Sequence, residues 1–82
     1  MHPSVKAAIA YFPDRGHAIA ELARTDEDFL SLCEDLAASE EALAIWERSH
    51  SSARAARCSE YRELIRDLTA ELAAELDRQS QR

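Results

Sequence analysis

The chain has 82 residues with a net charge of −6, and its apolar residues are mostly Ala and Leu, with only 6% aromatic residues. This length allows one domain with a modest core, because small domains bury a smaller share of their surface than larger ones. One Gly, two Pro and few β-branched residues exclude a sheet, and the acidic balance disfavours general binding to the phosphate backbone of nucleic acids.

The hydropathy of the chain also disfavours a membrane location. The longest apolar run, residues 7–12, is far shorter than the ~20 residues that span a bilayer. It is also a poor signal peptide, because only Lys6 supplies a basic charge before it. We therefore expect a cytoplasmic protein that binds neither membranes nor nucleic acids, with Cys33 and Cys58 in the reduced state.

Two short helices are predicted before the long ones. The first covers residues 4–11 and must end near Phe12, because the residue before a proline avoids the α region. The second covers residues 14–24, with Pro13 and Asp14 placed where the start of a helix favours proline and a negative charge.

A long helix is predicted over residues 26–48. Thr25 is a suitable N-cap, and Asp28 follows it three residues later, as in a capping box. Apolar residues then recur in alternating three- and four-residue steps, interrupted by the polar Ser39, which indicates one buried helix face. The members of this stripe are Phe29, Leu32, Leu36, Leu43 and Trp46.

A second long helix is predicted over residues 52–78, after a polar break at residues 49–52. Ser51 or Ser52 is the expected N-cap. No Gly or Pro interrupts the helix before its polar end. Its apolar stripe consists of Cys58, Tyr61, Ile65, Leu68, Leu72 and Leu76, with Leu64 beside it.

A break this short makes the two long helices antiparallel neighbours, so we predict a single all-α domain over residues 1–82. The fold is a long antiparallel helical hairpin with one or two short N-terminal helices, similar to a three-helix bundle. The short helices are expected to cover only the open end of the hairpin, near Phe29 and Leu72. They leave bare a turn-end patch, which consists of Leu43, Ile45, Trp46, Tyr61 and Leu64.

No residue pattern in the sequence predicts a catalytic, cofactor or metal site. His2, His17 and His50 lie far apart, and none is three or four residues from a second ligand in a familiar metal motif. Ser39 has no His at the spacing that would activate it as a nucleophile. We therefore predict a protein that is not an enzyme and that binds no cofactor or metal.

We predict that the turn end binds a protein, and that this partner is a second copy of the chain in a homodimer. An unidentified protein partner is the other possibility. Aromatic and arginine residues anchor most such surfaces. The predicted contact residues are Leu43, Trp46, Tyr61, Leu64 and Leu68, with Arg54 and Arg57 pairing with acids at the rim.

Two alternatives involve other residues. A thiol- or metal-responsive regulator would use Cys33, Cys58 and His50, although the predicted register separates the two cysteines by ~15 Å, too far for an intrachain disulfide. An arginine-rich face, formed by five arginines in residues 48–66, would bind an acidic partner or nucleic acid. The simpler interpretation is that these arginines pair with the eight acids of residues 26–47.

The chain resembles the small bacterial YdcH-like proteins in its motif pattern. The shared motifs are, in chain order, Phe12-Pro13-Asp14, Ala18-Ile19, Leu22, Asp28-Phe29 and Leu32. In that family a phenylalanine–proline–acid start leads into a short helix and then a long helical hairpin. The segment Glu60-Tyr61-Arg62-Glu63-Leu64 is also similar to related short proteobacterial proteins. The resemblance implies a bacterial cytosolic helical hairpin, and it brings no catalytic residues.

Overall fold

The computed structural model describes residues 2–81, and over these residues each regular element is a helix. This confirms the predicted all-α class. The helices are α1 (Pro3–Tyr11), α2 (Gly16–Thr25), α3 (Glu27–Glu47) and α4 (Arg54–Ser80), with a short 3-10 helix (Pro13–Arg15) between α1 and α2. None of these helices combines the length and the apolar character that crossing a bilayer requires.

The start of the chain forms two short helices that meet at a proline turn. The His2 side chain caps α1, because its Nδ1 accepts a backbone N–H from the first turn at 3.1 Å. α1 ends directly before Phe12, as the following proline requires. α2 begins at Gly16, later than the predicted residue 14, because the residues before it form the tighter 3-10 turn. In that turn the Arg15 N–H donates to the Phe12 carbonyl at 3.0 Å.

α3 begins with a different cap from the predicted one. The Asp26 carboxylate accepts the N–H of Asp28 at 3.0 Å and that of Phe29 at 3.2 Å, so Asp26 is the N-cap. Thr25 is the last residue of α2, and its hydroxyl donates to the Glu21 carbonyl at 3.2 Å. The prediction of Thr25 as the cap is wrong, because only Asp26 has the extended backbone that a cap requires.

We expect Asp26→Ala to lower the free energy of unfolding by about 1 kcal/mol, since two N–H groups at the start of α3 lose their acceptor. Urea denaturation followed by circular dichroism measures this loss. Thr25→Ala is the matched control one residue away, and it should cost less because its hydroxyl bonds only inside α2. Equal losses in the two variants would contradict the assignment of the cap.

The connection between α3 and α4 is longer than predicted, and α4 begins at residue 54 instead of residue 52. Ala53 occupies the N-cap position without a side-chain bond, so the prediction of Ser51 or Ser52 as the cap is wrong. The Ser51 hydroxyl instead accepts the Ala53 N–H at 3.0 Å inside the turn. The Arg54 Nε donates to the Glu47 carbonyl at 2.9 Å, which satisfies a carbonyl group at the end of α3.

The core lies in the half of the hairpin away from the turn, where all four helices meet. The long helices contribute to it only as far as Leu36 on α3 and from Leu68 on α4. Between those two residues and the turn, Ser39 and Cys58 are the buried side chains. The core members are Val5, Ala8, Ile19, Ala23, Phe29, Cys33, Leu36, Leu68, Leu72 and Leu76.

α1 reaches further along the hairpin than predicted. The Tyr11 hydroxyl donates to the Glu40 carboxylate at 2.9 Å, eleven residues beyond Phe29 on α3. α2 lies at the open end, where Arg15 binds Asp77 of α4 at 2.8 Å. The expectation that both short helices stay at the open end is therefore wrong for α1, because its buried face packs along α3.

Candidate self-association face

α1 packs on one flank of the hairpin, and the side-chain contacts identify that flank. Tyr11 of α1 contacts Glu40, and Glu47 lies seven residues further, which is two turns along the same side of α3. Glu47 in turn binds Arg62 of α4, with its Oε2 3.1 Å from the Arg62 Nη2. α1 and the Glu47–Arg62 ion pair therefore lie on the same flank.

The opposite flank of the hairpin is exposed, since Asp35 on α3 and Leu64 and Glu71 on α4 are all open to solvent. Trp46 lies about 100° around α3 from Glu47, and Leu64 lies about 200° around α4 from Arg62. Ala42 lies four residues before Trp46 and Tyr61 three residues before Leu64, so each lies on the same side of its helix as that residue. We call this surface the uncovered face, and it consists of Ala42 and Trp46 on α3 with Tyr61 and Leu64 on α4.

The side chains of the uncovered face lie outside the buried core. Leu64 keeps 42% of its surface exposed, while Trp46 and Tyr61 are partly buried. Leu43, another predicted contact residue near the turn, is also partly buried. Leu68 is only 7% exposed and belongs to the core, so it offers little surface to a partner, contrary to its place among the predicted contacts.

Ile45 lies at the outer edge of the uncovered face, three residues after Ala42, and the sequence placed it in the turn-end patch. Its side chain is 61% exposed. It lies about 100° around α3 from Trp46 and about 200° from Leu43, so it points away from α4. A single exposed Ile is common on protein surfaces and needs no partner.

Ala42 is a member of the face that the sequence analysis missed. It lies four residues before Trp46 and is partly buried, so it continues the side of α3 that Trp46 begins. The four-residue spacing from Trp46 was the available signal. A small side chain beside a large aromatic one leaves room for a partner side chain to approach the backbone of α3.

The two predicted rim arginines make contacts inside the chain. Arg54 binds the Glu47 carbonyl across the turn. The Arg57 Nη1 lies 2.6 Å from the Glu60 Oε2, one turn further along α4. Arg57 precedes Leu64 by seven residues, so it lies on the same side of α4 as the uncovered face. Its exposed pair with Glu60 contributes little stability by itself.

Both cysteines are buried free thiols. Burial raises the pKa of the Cys33 thiol from its ordinary value of 9.0 to about 11, and the charge of the neighbouring Glu34 adds to the rise. Since the thiolate is the reactive form of cysteine, Cys33 is held in its unreactive form at neutral pH. This environment gives the thiol-responsive alternative no support at Cys33.

The raised pKa of Cys33 predicts a loss of stability in alkaline solution. The folded protein binds this proton more tightly than the unfolded chain, so stability is full below pH 9 and falls as the pH rises toward 11. Urea denaturation in a reducing buffer at several pH values measures the decline. Cys33→Ala should show a shallower decline, while Tyr11 titrates in both proteins. Identical slopes would contradict the effect.

The three histidines lie apart from one another along the chain. His17 and His50 are exposed, and His2 lies at the start of α1, with its Nε2 3.8 Å from the Glu34 Oε2. Over the described part of the chain, no three His, Cys, Asp or Glu side chains are grouped as metal ligands would be. The described residues therefore give no support to the metal-responsive alternative.

A groove of about 460 Å³ lies between α1, α2 and α3, on the flank that α1 covers. Its polar lining residues already have acidic neighbours. His2 lies near Glu34, and the Arg24 Nη1 lies 3.5 Å from the Glu21 Oε1. The groove thus offers apolar surface without a polar group directed at a ligand. Its lining consists of His2, Val5, Ala20, Ala23, Arg24 and Leu30.

The fold and the uncovered face define a class of protein: a small helical hairpin with one flank covered by short helices and the other left open. Comparison of the chain with protein-family models, with curated proteins and with solved structures finds no match. The resemblance to YdcH-like proteins therefore stays a prediction from motifs, and the function is inferred from the surface.

Proposed function

We propose that this chain is a cytoplasmic, non-enzymatic interaction module that forms a homodimer through its uncovered face. The observation that carries the proposal is the placement of α1 on one flank of the hairpin. This leaves Trp46, Tyr61 and Leu64 outside the core on the other flank. Apolar and aromatic side chains grouped near a charged rim are typical of protein–protein contact surfaces.

A second copy of the chain is the occupant that the surface favours. When two uncovered faces meet, each α3–α4 hairpin supplies the layer that the other lacks, and the four long helices form a bundle. Trp46, Tyr61 and Arg57 belong to the residue types that most often anchor such contacts. A two-fold dimer also needs a self-complementary surface, and α4 carries charges of both signs along its uncovered side, with Arg57 before Leu64 and Glu71 after it.

Light scattering over a range of protein concentrations tests the proposal. We expect a molar mass of twice the 9.2 kDa of one chain at micromolar concentration. Trp46 is the single tryptophan, so its emission reports on this surface directly. We expect its emission maximum at a shorter wavelength than that of a fully exposed tryptophan. A single-chain mass throughout the micromolar range, with a fully water-exposed Trp46, would contradict self-association.

A further inference from the structure

We infer that two copies pack with their α4 helices antiparallel across a two-fold axis at Leu64, so that Arg57 of each copy lies beside Glu71 of the other. This inference rests on the proposed self-association and specifies its geometry. Leu64 is the most exposed apolar side chain of the uncovered face, with 42% of its surface accessible. It is therefore the side chain that gains most from a partner.

The spacing along α4 places the two charges symmetrically about Leu64. Arg57 lies seven residues before Leu64 and Glu71 seven residues after it, two turns or about 10 Å in each direction. All three side chains are exposed and share one side of the helix. A two-fold axis through Leu64 and perpendicular to α4 therefore brings Arg57 of one copy opposite Glu71 of the second copy, and the contact occurs twice.

The charges on α3 favour the same antiparallel arrangement. Asp35 lies seven residues before Ala42, so it continues the same side of α3 toward the open end, and it is exposed. Toward the open end this side of the hairpin is acidic at Asp35 and Glu71, and toward the turn it carries Arg57, while Glu60 and Asp67 lie exposed one turn to either side of Leu64. Antiparallel packing places Arg57 of one copy beside the acidic end of the other, whereas parallel packing would bring the two acidic ends together.

The existing contact of Arg57 does not prevent this pairing. Its guanidinium binds Glu60 inside the chain through Nη1. A guanidinium has five N–H donors, so it can also bind a carboxylate from a second copy. Because the Arg57–Glu60 pair is exposed to solvent, rearranging it costs little.

Charge reversal tests the geometry. Each of Arg57→Glu and Glu71→Arg places like charges at both symmetry-related contacts, so each should weaken the dimer roughly 10-fold. The double variant restores opposite charges and should recover most of the affinity. A mixture of the two single variants should form a heterodimer more tightly than either variant forms a homodimer. Sedimentation equilibrium measures each case.

Arg66→Glu is the matched control. Arg66 lies two residues from Leu64, about 200° around α4, so it faces the other flank and should leave dimerisation unchanged. If neither single reversal weakens the dimer, or if the double variant dimerises as weakly as the single variants, this geometry is wrong. Self-association itself would not be contradicted by either result. A monomeric wild type would overturn both. Circular dichroism confirms that each variant keeps its helices.

Discussion

Leu64→Arg is expected to convert the proposed dimer into monomers. The substitution removes the apolar side chain at the proposed two-fold axis and brings two guanidinium groups close together there. Losing the burial of one leucine in each copy corresponds to roughly 3 kcal/mol, which weakens association about 100-fold. Sedimentation equilibrium measures this loss, and the helix content of the monomer should be unchanged because Leu64 lies outside the core.

Ile45→Arg is the matched control for this result. Ile45 is also an exposed aliphatic residue close to the turn, with 61% of its surface accessible, but it points away from α4 and from the proposed axis at Leu64. The same change of charge and volume should therefore leave the dimer intact. If Ile45→Arg weakens association as much as Leu64→Arg does, the contact involves a different surface from the one proposed.

Phe29→Ala is expected to have the largest effect on folding. Phe29 is 1% exposed and lies in the core, where all four helices meet. Truncating a buried phenylalanine costs about 3–5 kcal/mol, through lost burial and the cavity that remains. A domain of 82 residues has a total stability of roughly 4–12 kcal/mol, so this one substitution removes a large part of it.

The loss at Phe29 is best measured by urea denaturation in the Leu64→Arg background. Because dimerisation adds to apparent stability, a monomeric background isolates the contribution of the core. Tyr61→Ala is the control, since it truncates an aromatic side chain that lies outside the core cluster. We expect a clearly smaller loss for Tyr61→Ala. Comparable losses would mean that the core extends to the turn end.

The class of the fold was predictable because the apolar residues of the long helices repeat with the helical period. The short break that follows residue 48 favours an antiparallel reversal of the two helices. The caps were less predictable, because Thr25 and Asp26 are both good capping residues. Which of them caps α3 depends on where α2 ends, and the backbone at Asp26 decides it.

The position of α1 could not be read from the sequence. A short helix with one apolar side can pack across the end of a hairpin or along it, and the periodicity is the same in both cases. The contact of Tyr11 with Glu40 shows that α1 lies along α3. The position of α1 is fixed by the packing of its buried side chains, such as the small Ala8 and the branched Val5. A residue pattern does not encode this packing.

The sequence predicted apolar residues near the turn, but it could not predict the flank on which they lie. The stripes that contain Trp46 and Tyr61 placed apolar residues near the turn, beyond the reach of the short helices. The flank on which they are exposed depends on the flank that α1 occupies, which is a tertiary feature. For the same reason Leu68, which the core buries, was counted as a contact, while Ile45 is exposed as the prediction of a bare turn-end patch requires.

Dilution of the wild-type protein beside Leu64→Arg, with Trp46 emission and sedimented mass recorded together, tests the central claim most directly. If a second copy covers the uncovered face, concentrated wild type has twice the single-chain mass and a bluer emission than the variant. Both signals then converge on those of the variant as the protein is diluted. Identical emission and a single-chain mass for both proteins at every concentration would contradict the claim.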